Sequence, residues 1–269
     1  MTSTAPTGTE PPDPRTPGAG TPGRTESPGR VWAEVLGLYF GTLIAIRLAV
    51  QVVSGLPGFE LLLAIVPILF MYAPVWSCRL RGADPWDYPM ALPSFQERGA
   101  WLEALRLNAV LWAIVAVPFV LGYHLWQTVG VPELQETLGV RLFARLPELQ
   151  WTFPSNPLKL VAYHLFYVAI PEEMFYRGYL QSRLDEVLPP RWTVLGTRVG
   201  PGLLATCVLF AFGHSLVILQ WWHVFIVVPS LAFGWLRART NGIVAGAFFH
   251  AWCNVTVATL DTLYGIVPP

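Results

Sequence analysis

Apolar residues run along this chain in long blocks, broken by short polar stretches rich in Gly, Pro and Arg. A helix rising ~1.5 Å per residue needs about 20 apolar residues to cross a hydrocarbon core of ~30 Å. The blocks therefore predict seven spans, near 31–53, 59–78, 103–126, 158–182, 201–219, 222–239 and 243–262. The fold class this implies is all-α, a polytopic transmembrane helical bundle. The fourth block is interrupted. LKLVAYHLFYVAI leads straight into PEEMFYRG, so Pro171, two carboxylates and an arginine stand where lipid-facing helix is expected.

The flanking segments read differently. Residues 1–29 are Pro, Gly, Thr and Ser with little to bury, and such a leader cannot offset its ordering entropy. It lacks the apolar core and cleavage site of a signal peptide, so it reads as a disordered cytoplasmic tail. Between the third and fourth blocks, VPELQETLGVRLFARLPELQW mixes apolar and charged residues, which suits an interfacial helix or a plain amphipathic connector. Arginines such as Arg79, Arg81, Arg183, Arg191, Arg198, Arg237 and Arg239 fall on the side of the leader, against Arg141, Arg145 and Lys159 opposite. Basic residues near span ends prefer the cytoplasm, so the N-terminus is placed inside. Arg47 is left within the first span, where it needs an interface or a partner. The chain thus divides into a leader (1–29), N-terminal spans with the interfacial segment (30–157), a core of four spans (158–262) and a short tail (263–269).

Composition agrees with a membrane protein: 54% of residues are hydrophobic and 13% charged, with mean hydropathy +0.47. The formal net charge of zero supplies no basic field for nucleic acid. Cys78, Cys207 and Cys253 lie in or beside apolar stretches, an odd, scattered set that makes no disulfide framework.

An ionisable group at mid-membrane costs about 2.5–3.5 kcal/mol even on the lenient insertion scale, so each one calls for a protein interior or a wet cavity. The candidates are His164, Glu172, Glu173 and Arg177 in the fourth span, His214 in the fifth, and His250 with Asn254 in the seventh. Glu173 and Arg177 are four apart and share a helix face, so they can pair. Glu172 points about 100° away and lacks that partner. Pro171 cannot serve the carbonyl of Tyr167 and is expected to kink the helix beside the pair. His250 and Asn254 are one turn apart on one face. Gly213, before His214, permits close helix approach. Counting residues from the predicted ends sets His214 several ångströms farther out than Glu172 and His250.

Singly, each group has a bland reading as a charged helix end or as packing glue. Three of four successive spans bringing such groups suggests one polar site. A carboxylate held out of bulk water binds a proton more readily, which suits a general base, and Glu172 is the better placed. One histidine can hold the attacking water, while another with an amide stabilises the oxyanion. That sums to amide hydrolysis without a covalent intermediate or a cofactor. A metal-dependent protease could use the same ligand types, although no His-Glu-x-x-His string is present. A thiol protease built on Cys253 crowds its groups into one helical turn. A non-catalytic membrane protein of bacteriocin-immunity or assembly type and a proton-coupled transporter complete the rivals.

The strings EEMFYR (172–177), FAFGH (210–214) and HAWCN (250–254) fit Glu-Glu-x-x-x-Arg, Phe-x-x-x-His and His-x-x-x-Asn. In this order they resemble the CPBP family of type II CAAX prenyl endopeptidases and bacteriocin-processing enzymes, which are glutamic intramembrane proteases. The resemblance covers about residues 158–262. It implies a four-helix catalytic core in which Glu172 activates water, His214 helps bind it, and His250 and Asn254 form the oxyanion hole, with Glu173 and Arg177 in support. It further implies a membrane-anchored protein or peptide substrate, a cavity opening towards cytoplasm and lipid, and residence in the bacterial cytoplasmic membrane. Relatives that trim C-terminal sorting anchors, the myxosortase-like enzymes, suggest the substrate type.

Overall fold

The computed structural model describes residues 26–57, 62–139, 147–218 and 221–266, with Ile218, Trp221 and Trp222 described in backbone only. The leader expected over 1–29 falls outside these residues, apart from its last four.

Each predicted span falls on a helix. They are α1 (Pro28–Val53), α2 (Ile65–Arg81), α3 (Arg98–Leu138), α4 (157–187), α5 (Pro201–Ile218), α6 (Val227–Thr240) and α7 (Val244–Leu263). Among the described residues, α1 and α3 are long and apolar enough to cross a membrane by length and composition. Helix α6 has 14 residues after a 3-10 turn at Trp221–Ile226, short of a full crossing.

The described residues cover part of the interfacial segment. Val131–Leu138 continues α3 through a π turn at Trp126–Gly130, with Pro132 in its first turn where the missing N–H costs little. Residues 140–146 of that segment lie outside the described residues. The stretch after them has no regular structure, and Glu148 and Gln150 donate backbone hydrogen bonds to Tyr264 and Leu263 at the end of α7.

Helix α4 sits at the centre, against α1, α2, α5, α6 and α7. Asn156 caps it by accepting from the Lys159 N–H, and Pro157 opens the first turn. A single α-helical turn, Ile170–Glu173, lies between two π segments, Tyr163–Ala169 and Met174–Gln181. Pro171 lies in that single turn, and its missing N–H coincides with a wider register on either side, in which carbonyls are served from one residue farther along. Phe175, Tyr176, Tyr179, Leu180 and Leu184 of α4 meet Tyr39, Phe210, Phe233 and Leu236 in the buried core. A Cβ on Gly213 would come within 3.0 Å of the hydroxyls of Tyr39 and Tyr176, so glycine sets the close approach of α5 to α1 and α4.

Among the described residues, one element breaks the all-helical pattern. Trp192–Val194 (β1) and Thr197–Val199 (β2) form an antiparallel hairpin between α4 and α5. Its two-residue turn has positive φ at both Leu195 (48°) and Gly196 (75°), the conformation whose twist matches paired strands. Arg47 finds its partner in the carbonyl of Val217, 3.0 Å from Nη1, at the end of α5.

At the opposite end of the bundle, Arg183 of α4 pairs with Glu26, Glu34 and Glu186, and Arg81 pairs with Glu34 and donates to the hydroxyls of Tyr88 and Tyr179. This network ties the start of α1 and the end of α2 to α4.

Candidate active site

Glu172 and Glu173 occupy the single α-helical turn of α4, and adjacent positions send them to different neighbours. The Glu173 side chain is fully buried. Its Oε1 lies 2.9 Å from Nη1 of Arg177, itself fully buried, and 3.2 Å from Nδ1 of His250 on α7. Arg177 donates from Nη2 to Ser230 Oγ of α6 at 2.7 Å, and its guanidinium lies 4.1 Å from the ring centre of Phe210 and 5.1 Å from that of Phe233. Cation–π contact with two rings and two polar partners offsets the burial of the charge. A Cβ on Gly246 would meet Glu173 Oε2 at 2.8 Å, so glycine in α7 makes room for the carboxylate.

Glu172 faces the other way. Its Oε2 is 3.7 Å from His214 Nε2 and 3.9 Å from His250 Nε2, and that oxygen is buried without a hydrogen-bond partner. Both separations exceed hydrogen-bond length and fall where a bridging water is to be considered. His214 Nδ1 lies 2.9 Å from the carbonyl oxygen of Phe210. A carbonyl only accepts, so Nδ1 carries the proton, and in the neutral ring Nε2 is left with a lone pair towards Glu172. The His250 ring stacks on Phe233 at 4.8 Å between centroids with 15° between planes, which fixes its orientation.

The structure thus brings together Glu172, Glu173, Arg177, His214 and His250. The separations of 3.7 and 3.9 Å bring the side chains of Glu172, His214 and His250 together, so the offset counted from the predicted span ends does not part them. Asn254 follows His250 by one turn on α7, half-buried, and among the described residues no hydrogen bond joins it to the cluster. Ser230, Phe233 and Gly246 complete the surroundings and escaped the reading of the sequence. Ser230 offered a signal, a polar residue inside an apolar run (VVPSLAF), as did Asn108, whose side-chain amide donates to the backbone of Ala245 at 3.0 Å beside Gly246. Among the described residues no group of three or more His, Cys, Asp or Glu side chains is arranged to hold a metal ion.

Residues 154–256, which include every side chain of this cluster, match the family model of the type II CAAX prenyl endopeptidases, Rce1-like. That region, 103 of the 269 residues, is similar to the Rce1-like family. The match, taken with the apolar helices α1 and α3, points to an integral membrane protein. Neither the curated proteins nor the solved structures searched contain a match to the chain.

Proposed function

We propose that this chain is an intramembrane endopeptidase in which Glu172 activates a water molecule to hydrolyse a peptide bond of a membrane-anchored protein. A CAAX-type membrane protease is what the family supports in general terms. The glutamate mechanism rests on one observation: Glu172 Oε2 lies 3.7 Å from His214 Nε2, and with the ring neutral and Nδ1 donating to Phe210 both atoms are acceptors. Two acceptors cannot bond each other. One water between them can donate a proton to each, which leaves an oxygen lone pair to point at a carbonyl carbon.

On attack the water oxygen forms the new C–O bond and its proton passes to Glu172, a general-base role typically worth 10²–10⁴-fold. The substrate carbonyl becomes an oxyanion. His250 is oriented to stabilise it, because Nδ1–H donates to Glu173 and Nε2 faces the reaction centre. A proton taken up from solvent on Nε2 only when substrate binds makes the otherwise neutral ring an imidazolium, whose charge Glu173 balances, as a carboxylate does behind a catalytic histidine. Asn254, a turn away, supplies a second donor once substrate is bound. Collapse of the intermediate breaks the C–N bond, and Glu172 returns its proton to the leaving amine. Glu173, Arg177 and Ser230 act by holding His250 and the helix turn in register.

The N-terminus inside, a cavity open to the cytoplasmic side, a bacterial inner membrane, and trimming of C-terminal sorting anchors complete the reading, supported by the arginine distribution and the resemblance. The test compares termini of membrane proteins in cells carrying the wild-type chain or Glu172→Gln at equal abundance. Proteins with lengthened termini in the mutant are expected; identical termini under several growth conditions would refute proteolysis.

A further inference from the structure

His164 stands outside the machinery above. It lies in the first π segment of α4, half-buried, with the Tyr163 ring edge-on at 5.3 Å. Its Nδ1 is buried and has no hydrogen-bond partner. A polar atom withdrawn from water and left unmatched is costly, and in a membrane such groups mark functional paths. The π segment that carries it packs against α7, the helix of His250.

Register agrees. From 164 to 172 a regular α-helix would make slightly more than two turns, and the wider turns of the π segment bring the count closer to two. His164 therefore shares the face of Glu172, displaced along α4 by at most ~12 Å at ~1.5 Å per residue. An extended peptide advances about 3.3 Å per residue, so three to four residues cover that distance. Such a peptide carries amide groups that need partners wherever water is excluded. The unmatched nitrogen and the unmatched amide answer each other.

We propose that His164 is a substrate-positioning residue, whose free ring nitrogen hydrogen-bonds a backbone amide of the bound peptide about three to four residues from the scissile bond. This rests on the proteolytic reading above. The residue sets where along its length a substrate must still be peptide, and so contributes to the length of chain the enzyme requires beyond the cleavage point.

The test uses the purified full chain in detergent micelles and a mixed pool of internally quenched peptides, with Glu172→Gln as the blank. The best-cleaved peptide is resynthesised with an ester in place of single amides, and in shortened forms ending two residues from the scissile bond on either side. For the full-length peptide, His164→Leu is expected to raise KM about five- to tenfold, the weight of one hydrogen bond, with kcat within about twofold. His164→Asn is expected to restore much of the loss. On the peptide shortened on the contacting side, or bearing the ester at the contact, wild type and His164→Leu are expected to be equal. An equal penalty on every peptide, accompanied by a lowered thermal midpoint, would assign His164 to packing and overturn the proposal; so would unchanged KM on every peptide. Absence of any cleavage above the Glu172→Gln blank by wild type would overturn it together with the proteolytic reading, an outcome distinct from the other two.

Discussion

Replacing Arg177 by Met should cost far more stability than replacing Arg177 and Glu173 together. Both side chains are fully buried, joined at 2.9 Å, and the guanidinium also holds Ser230 and stacks on Phe210 and Phe233. Removing the cation alone leaves a desolvated carboxylate with only His250 beside it. Breaking a buried pair in this way costs about 3–5 kcal/mol, and Glu173→Gln alone strands the arginine at a similar cost. The double variant removes both charges, and replacement of a buried ion pair by uncharged groups is often near neutral. The coupling between the two positions is therefore about 3 kcal/mol or more. Reversible denaturant unfolding of the wild type, both single variants and the double variant in mixed micelles measures it, with helical circular dichroism as the probe. Additive single costs, or a loss below about 1 kcal/mol for Arg177→Met, would show that the pair is screened and that the buried arrangement is not what holds α4, α6 and α7 in register.

Further outcomes follow from the same geometry. Glu172→Gln keeps the fold and lowers cleavage of any responsive peptide by about 10²–10⁴, the span of general-base contributions, read as single-turnover rate. Gly246→Ala drives a methyl to 2.8 Å from Glu173 Oε2; overpacking of this kind costs about 1–3 kcal/mol, measured as unfolding free energy, and displaces the carboxylate from His250, so activity falls with stability. Ser230→Ala removes one hydrogen bond to a charged group and costs about 1.5–3 kcal/mol in the same unfolding assay. Arg183→Ala strips the cation shared by Glu26, Glu34 and Glu186, so proteolytic nicking near the start of α1 should rise while the Glu172–His214 pair stays in place.

Much of the site was legible because its parts obey helix spacing. Glu173 and Arg177 at four residues form the pair that spacing predicts, Glu172 is left without it, and the three polar helices converge. The close contact at Gly213 was also legible from its lack of a side chain. What the spacing could not carry is the π register of α4, since a widened turn leaves no residue signature beyond Pro171 and changes the face on which His164 falls. Ser230 was missed because a lone hydroxyl in an apolar run reads as helix glue until its partner is known. The continuation of α3 to Leu138 was missed because charged residues after Gly130 imply an exit from the membrane, whereas a helix can leave the bilayer without ending. The hairpin at 192–199 lies in a segment too short and polar for period arguments, and its Leu-Gly turn is a weak cue beside Asn-Gly.

The account turns on a single water held by Glu172 and His214. An experimental structure of the full chain in lipid, at a resolution that places ordered solvent, tests this most directly. Density for one water about 2.6–3.2 Å from both Glu172 Oε2 and His214 Nε2 is the predicted result. A metal ion bound at about 2.0–2.2 Å by these groups, or a Glu172 carboxylate turned away from both histidines, would contradict it.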